Sequence, residues 1–196
     1  LRRIYFDLIG LPPSPNQIND FISDRSSNAF PKVVDELLGS ERFGERWGRH
    51  WLDVARYADT IGGGRNNPFP NASRYRDYVV KSFNKDKPFD RFIIEQIAGD
   101  LMPSKSKLEY NEYLTGTGFL ALGPHNYELQ DKELLRMEVV DEQLSAVGRA
   151  FMGITMGCAR CHDHPFDPIP TKEYYSMAGI FRSTNSLVPG NVASFH

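Results

Sequence analysis

The only two cysteines of this 196-residue chain lie three residues apart, in the segment Cys158-Ala159-Arg160-Cys161-His162. A core can form without disulfide bonds between distant segments, because thirteen Phe, nine Tyr and two Trp supply large apolar side chains. Residues three apart in a helical turn project to the same side, so the two thiols are expected to lie next to each other. This segment therefore limits both how the chain is held together and which chemistry it can perform.

The composition is that of a soluble globular domain, with 40% hydrophobic and 24% charged residues. No linker divides the chain, so we expect residues 1–196 to form a single domain. Because the chain begins with Leu1 rather than Met, we expect it to be a fragment of a longer multidomain protein. The net charge is −2, and acidic residues are interleaved with the arginines between Arg42 and Arg56, so the sequence shows no clustered basic excess of the kind that binds nucleic acid. No apolar run is long enough to span a bilayer.

Helical periodicity dominates the chain, and no segment alternates apolar and polar residues as a strand would. Ser14 is predicted to cap a helix that has Pro15 at its first position and Gln17 closing a capping box. Thr171 is predicted to cap the last helix. The other predicted helices cover residues 1–8, 29–38, 73–83, 89–98, 113–122 and 131–156. The pattern predicts a mainly α fold.

One further helix is the best defined, with a cap at Ser40 and an end near Tyr57. The segment 62–71 that follows is rich in Gly, Asn and Pro and is predicted to be a loop. Its three glycines follow no strand, so they do not indicate a phosphate-binding loop. The helix is expected to turn an apolar stripe towards the core, formed by Trp47, Trp51, Val54 and Ala58.

The segment from Cys158 to His162 has the C-x-x-C-H pattern of c-type haem attachment. Each of the two thiols can add across one haem vinyl group, and the next residue can then place its imidazole under the iron. We therefore expect one covalent haem c, with His162 as an iron ligand and with cofactor contacts from Cys158, Arg160 and Cys161. The expected fold is a single helical domain wrapped around this haem.

Three other interpretations of the two cysteines stay open. A zinc site would combine Cys158 and Cys161 with His164 and a distant histidine such as His50. A thioredoxin-like redox pair would need a βαβ context, which the sequence does not show. A structural disulfide would need an oxidising compartment.

The residues after the motif include three prolines between Pro165 and Pro170 and are expected to form a rigid, extended loop. His164 is too close to His162 in sequence to reach the opposite face of the same haem easily. The carboxylates of Asp163 and Asp167 either orient an imidazole N–H or cap the loop.

The second axial position of the iron would decide between electron transfer and catalysis. His50 is the leading candidate for this position, because it lies beside the apolar stripe of its helix and a core-facing histidine needs a partner. An open position is the alternative. The remaining candidate ligands are His125, Met137, Met152 and His196, and the candidate partners for the haem propionates are Arg56, Arg74, Arg76 and Arg149.

Several sequence blocks together resemble the planctomycete-type cytochrome c domain of the second kind, a family long catalogued as a domain of unknown function. One departure is Pro165, where the family pattern leads us to expect Lys. The resemblance covers nearly the whole chain, through residues 1–13, 44–59, 75–77, 84–88, 96–101 and 158–169.

The resemblance implies an exported, haem-bearing module of a larger protein. The expected function is electron transfer to or from a partner protein or an attached redox domain, in the periplasm or another exported location. Two alternatives are a haem enzyme with an open iron site, and an interaction module stapled by zinc or a disulfide without haem.

Overall fold

The computed structural model describes residues 1–61, 68–126 and 129–184. Residues 62–67 of the loop predicted at 62–71 and the candidate ligand His196 lie outside these residues. The α-helices of the described residues are α1 (Arg2–Leu8), α2 (Pro15–Ser23), α3 (Ala29–Leu38), α4 (Glu41–Val54), α5 (Ala72–Asn84), α6 (Phe89–Ala98), α7 (Lys107–Gly116), α8 (Lys132–Val147) and α9 (Thr171–Arg182).

These helices form one domain, which confirms the mainly α prediction, and the described residues contain no β-strand beyond an isolated bridge between Thr60 and Pro68. The main core joins α4, α5, α6, α8 and α9. A smaller cluster around Tyr5, Leu8 and Leu37 packs α1 against α3. In the described part of the chain, no helix combines the length and hydropathy needed to cross a bilayer.

Local capping signals in the sequence set the starts of several helices. The predicted capping box of α2 is confirmed: Gln17 N–H donates to Ser14 Oγ at 3.3 Å, and Ser14 N–H donates to Gln17 Oε1 at 2.9 Å. The Ser40 cap of α4 is also confirmed, since its hydroxyl accepts from Arg42 N–H. Asp131 caps α8 by accepting from Leu134 N–H.

The C-terminal end of α4 differs from the prediction because the chain turns at Arg56, which adopts a left-handed φ of 56°. Arg56 N–H donates to Asp53 O, and Tyr57 N–H donates to Leu52 O at 2.9 Å. This is a Schellman motif with arginine in the position usually taken by glycine. The helix therefore ends at Val54 instead of Tyr57.

The predicted apolar stripe of α4 was wrong in part. Trp51 is buried as expected, but Trp47 is only half-buried and Val54 and Ala58 are exposed. Two glycines on the actual buried face allow α5 to approach closely. That face consists of Gly44, Gly48, Trp51, Leu52 and Ala55.

Gly44→Ala is expected to destabilise the protein by about 2 kcal/mol in urea unfolding. The added methyl group would overpack a contact with the backbone of α5, and this cost is larger than the stabilisation from the higher helix propensity of alanine. A methyl group at Gly44 would lie 2.4 Å from the Val80 carbonyl oxygen and 2.5 Å from Asn84 Oδ1. It would also disturb the 2.7 Å hydrogen bond from Gly44 N–H to Asn84 Oδ1.

The matched control is Gly179→Ala in α9, where an added methyl group meets nothing within 4 Å. This control is expected to stabilise the protein by about 0.5 to 1 kcal/mol through helix propensity alone. Equal effects of the two substitutions would contradict the close packing of α4 on α5.

The helix predicted over 131–156 ends early, and this break positions the cysteine motif. After α8 the chain makes a π-helical turn over Gly148–Met152 and then reverses at Gly153, whose φ is 67°. Ile154 N–H closes the turn by donating to Gly148 O at 3.1 Å. The helix predicted over 113–122 is also displaced, because α7 ends at Gly116 and only a 3₁₀ turn covers Thr117–Leu120.

Candidate functional site

The cysteine motif lies on a 3₁₀ turn, Met156–Arg160, that is fixed by its apolar residues. Met156 and Ala159 are buried in the main core. Cys158 and Cys161 are both free thiols on the exposed side of the same turn. The turn therefore holds both thiols at the surface, on a backbone that its buried residues anchor in the core.

Asp141 on α8 fixes the motif from the side. One carboxylate oxygen accepts from Arg160 Nη1 at 3.3 Å, and the other accepts from the Tyr174 hydroxyl. Burial and the neighbouring Asp141 raise the pKa of Tyr174, so its hydroxyl stays protonated and continues to donate. Tyr175 adds a hydrogen bond of 3.0 Å from its hydroxyl to Arg160 O.

Arg160, which the sequence placed among the cofactor contacts, thus has an ion-pair partner in Asp141. About a third of its side chain is exposed. Asp141, whose carboxylate holds Arg160 of the motif in position, is the residue that sequence reasoning missed. Its only sequence signal is a location on the helix that precedes the motif, and the contact depends on how α8 packs against the turn.

His162 is exposed, and its imidazole is held in one tautomer. Nδ1 lies 2.8 Å from the carbonyl oxygen of Asp163. A carbonyl oxygen only accepts, so Nδ1 carries the proton and donates it. In the neutral ring Nε2 then keeps a free lone pair, which is the arrangement common among metal-ligating histidines.

His164 has a structural role. Its side chain is only 4% exposed. Nδ1 accepts from Asp167 N–H at 2.8 Å, so the proton lies on Nε2, which donates to Thr155 Oγ1 at 3.2 Å. Both ring nitrogens are therefore engaged in holding the loop after the motif against the residues before it.

Asp163 acts as a cap, one of its two expected roles. Its Oδ1 accepts from Thr171 N–H at 2.8 Å, at the first turn of α9. The predicted cap at Thr171 was wrong, because α9 begins at that residue and the cap position is Pro170, which has no side-chain donor or acceptor. Asp163 therefore ties the residue next to His162 to α9.

The expectation that His50 faces the core was wrong. His50 is exposed on α4, and its ring makes an edge contact with Trp47 at 5.4 Å between centroids. The spacing of the apolar residues gave a wrong buried face for α4, because the actual buried face includes Gly44 and Gly48 and is rotated away from the predicted stripe. Whether His50 ligates iron stays a prediction that no contact of this structure tests.

The other candidate ligands and cationic partners are spread over the fold. His125 is buried, Met137 is half-buried and Met152 is exposed. Arg56 pairs with Glu142, and Arg76 pairs with Asp77. Among the described residues, no three His, Cys, Asp or Glu side chains form a group that could hold a metal ion. The zinc alternative, which required four such ligands, gains no support.

A comparison with protein families gives a match over residues 1–186 to PSCyt2, described as a protein of unknown function (DUF1549). Neither the curated proteins nor the solved structures contain a significant match. The family match spans nearly the whole chain, and it agrees with the family that the sequence blocks resemble. The chain belongs to the PSCyt2 family.

Proposed function

We propose that the chain carries one covalent c-type haem on Cys158, Cys161 and His162 and transfers electrons through it. The observation that carries this proposal is the geometry of the motif: two exposed free thiols on one anchored turn, followed by an imidazole whose Nδ1–H is already held. The pattern and spacing match c-type attachment.

The donor set fits the group. Thiols three residues apart on one turn can form two thioether bonds, each by adding S–H across a vinyl group. His162 would hold the iron through Nε2, while the Asp163 carbonyl accepts from Nδ1–H and fixes the ring. When bound, the haem supplies a one-electron iron couple.

The surface beside the motif also fits a large apolar group. Phe166 is 92% exposed, and Tyr175 and Met152 are also exposed. Phe166 follows the cysteine motif by a few residues. The Tyr175 hydroxyl donates a hydrogen bond to the carbonyl oxygen of Arg160, which belongs to the motif. Exposed apolar side chains that follow the motif in the chain or hydrogen-bond to it support a surface that is covered when a large apolar group is bound.

Electron transfer implies a partner, either a donor or acceptor protein or an attached redox domain. Covalent haem attachment takes place outside the cytoplasm, so the proposal also implies a periplasmic or otherwise exported location. These two statements depend on the haem and fail with it.

The proposal is tested by co-expressing the chain with haem-attachment machinery and recording oxidised and reduced optical spectra. A denaturing gel stained for haem measures covalent attachment. We expect staining and a c-type spectrum, and we expect Cys158→Ser together with Cys161→Ser to abolish the stain, because no thioether bond can then form. Thr155→Ser, which keeps the hydroxyl beside His164, is the control and should stain as the parent does.

The spin state of the oxidised protein then reports the second axial ligand. A low-spin spectrum indicates two strong ligands and supports electron transfer, and its conversion to high spin in His50→Ala would identify His50. A high-spin parent would favour an open iron. Colourless, unstained parent protein under these conditions contradicts the proposal.

A further inference from the structure

A second candidate site lies away from the cysteine motif, in a cavity of about 370 Å³. It opens beside the first turn of α5 and is bounded by the 3₁₀ turn after α7. No residue of the segment 158–162 is among the described residues that line it. The volume is within the range of small-molecule sites.

The walls of the cavity are mainly apolar, so they favour a ligand with an apolar body. Aromatic side chains contribute on one side through Phe69 and Tyr75. Tyr75 is held in place because its hydroxyl accepts from Trp51 Nε1 at 3.0 Å and donates to Gln96 Oε1. The aliphatic part of the wall comes from Leu114, Leu120, Leu122 and Val139.

The charge of the described lining has one sign. Arg74 is the lysine or arginine among the described lining residues, and none of them is Asp or Glu. His125 also lines the cavity, and burial together with the charge of Arg56 lowers its pKa to about 4. His125 is therefore neutral near pH 7, and Arg74 is the charged group of the described lining.

The first turn of α5 adds to this positive character. Asn71, Ala72 and Arg74 belong to the turn and line the cavity. The turn contains no acidic residue, and the Asn71 side chain makes no capping hydrogen bond. The positive end of the helix dipole is thus not offset by a local carboxylate.

We propose that this cavity binds a small carboxylic acid with an apolar, aromatic-sized body, whose carboxylate pairs with Arg74. An arginine fork matches a carboxylate in two hydrogen bonds. The apolar wall accepts the rest of the molecule. This site does not depend on the proposed haem, so either can fail without the other.

The probe is 4-phenylbutyrate, titrated calorimetrically into the full chain at low salt, with 4-phenylbutyramide as the uncharged control. Because Arg74 is exposed and screened, we expect the acid to bind about fivefold more tightly than the amide. This preference should shrink as salt is raised. Equal affinities of acid and amide would overturn the assignment of a carboxylate ligand.

Arg74→Gln is expected to weaken acid binding about fivefold and to leave amide binding unchanged. The matched control is Arg76→Gln, on the same helix but paired with Asp77 and outside the cavity lining. It should bind as the parent does. If both substitutions weaken the acid equally, the ligand is held by general charge, and the site is refuted.

Thr115→Trp is designed to fill the cavity, and it should reduce the binding of both probes at least tenfold. Ala121→Trp, at an exposed lining position, is a second blocking variant in case the first does not fold. Loss of binding in a folded blocking variant supports the site. Undiminished binding in a folded blocking variant, or no binding to the parent, overturns it.

Discussion

Glu142→Gln is expected to lower the free energy of unfolding by about 3 kcal/mol, because it leaves the guanidinium of Arg56 buried without a counter-charge. Arg56 Nε lies 2.5 Å from Glu142 Oε1, and Nη2 lies 2.8 Å from Oε2. Only 15% of the arginine side chain and 16% of the glutamate side chain are exposed. Urea unfolding followed by circular dichroism measures the loss.

The surroundings of the pair explain why its loss is costly. Burial raises the pKa of Glu142 and lowers that of Arg56, so each charge is disfavoured by its site and depends on the other. Arg56 also donates to the Leu122 carbonyl, and its guanidinium lies 5.3 Å from the centre of the Phe119 ring. Its left-handed backbone ends α4, so the pair fixes a helix end that no glycine stabilises.

Glu133→Gln makes the same chemical change on the same helix and serves as the control. Glu133 pairs with Arg182 at 3.4 Å, with exposed side-chain fractions of 73% and 54%. Surface pairs of this kind contribute little, so we expect a change of less than about 0.5 kcal/mol. Similar losses for the two substitutions would contradict a special role for the buried pair.

The double variant Arg56→Met with Glu142→Met tests the coupling between the two charges. We expect its loss of unfolding free energy to be clearly smaller than the sum of the losses of the single variants Arg56→Met and Glu142→Met, because no uncompensated charge remains. Additive losses would show that the two side chains act independently.

The helix ends that could be predicted from the sequence were those that depend on hydrogen bonds between residues close together in the chain. The capping box at Ser14 and the cap at Ser40 act over two or three positions, so the sequence alone located α2 and the start of α4. The end of α4 could not be predicted, because the left-handed turn uses Arg56 instead of glycine. Its stability comes from Glu142, which is distant in sequence.

The cysteine motif could also be recognised in the sequence, since Cys158, Cys161 and His162 lie within five residues. The contacts that hold the motif could not be predicted, because Asp141 reaches Arg160 and Tyr174 only when α8 ends at Val147 and the chain reverses at Gly153. A helix predicted through to residue 156 would leave no such turn. The burial of His50 was misjudged for a similar reason, since glycines, which carry no hydrophobic signal, form much of the buried face of α4.

The protein is expected to lose about 3 kcal/mol of stability through His125 alone as the pH falls from 6.5 to 4. His125 is 5% exposed. Its pKa is lowered from the usual 6.5 to about 4, mainly by burial and also by the positive charge of Arg56. Between these values the unfolded chain binds the proton and the folded chain does not. The contribution is therefore fully present above pH 6.5 and is lost as the pH falls through this window.

The measurement is the free energy of unfolding of the parent and of His125→Gln between pH 7.5 and pH 4. Glutamine cannot take up the proton, so the difference between the two proteins should shift by about 3 kcal/mol over the window, while other titrating groups cancel. A difference that stays flat over this window would mean that His125 takes up its proton in the folded state as easily as in water, and the buried, neutral ring beside Arg56 would have to be abandoned.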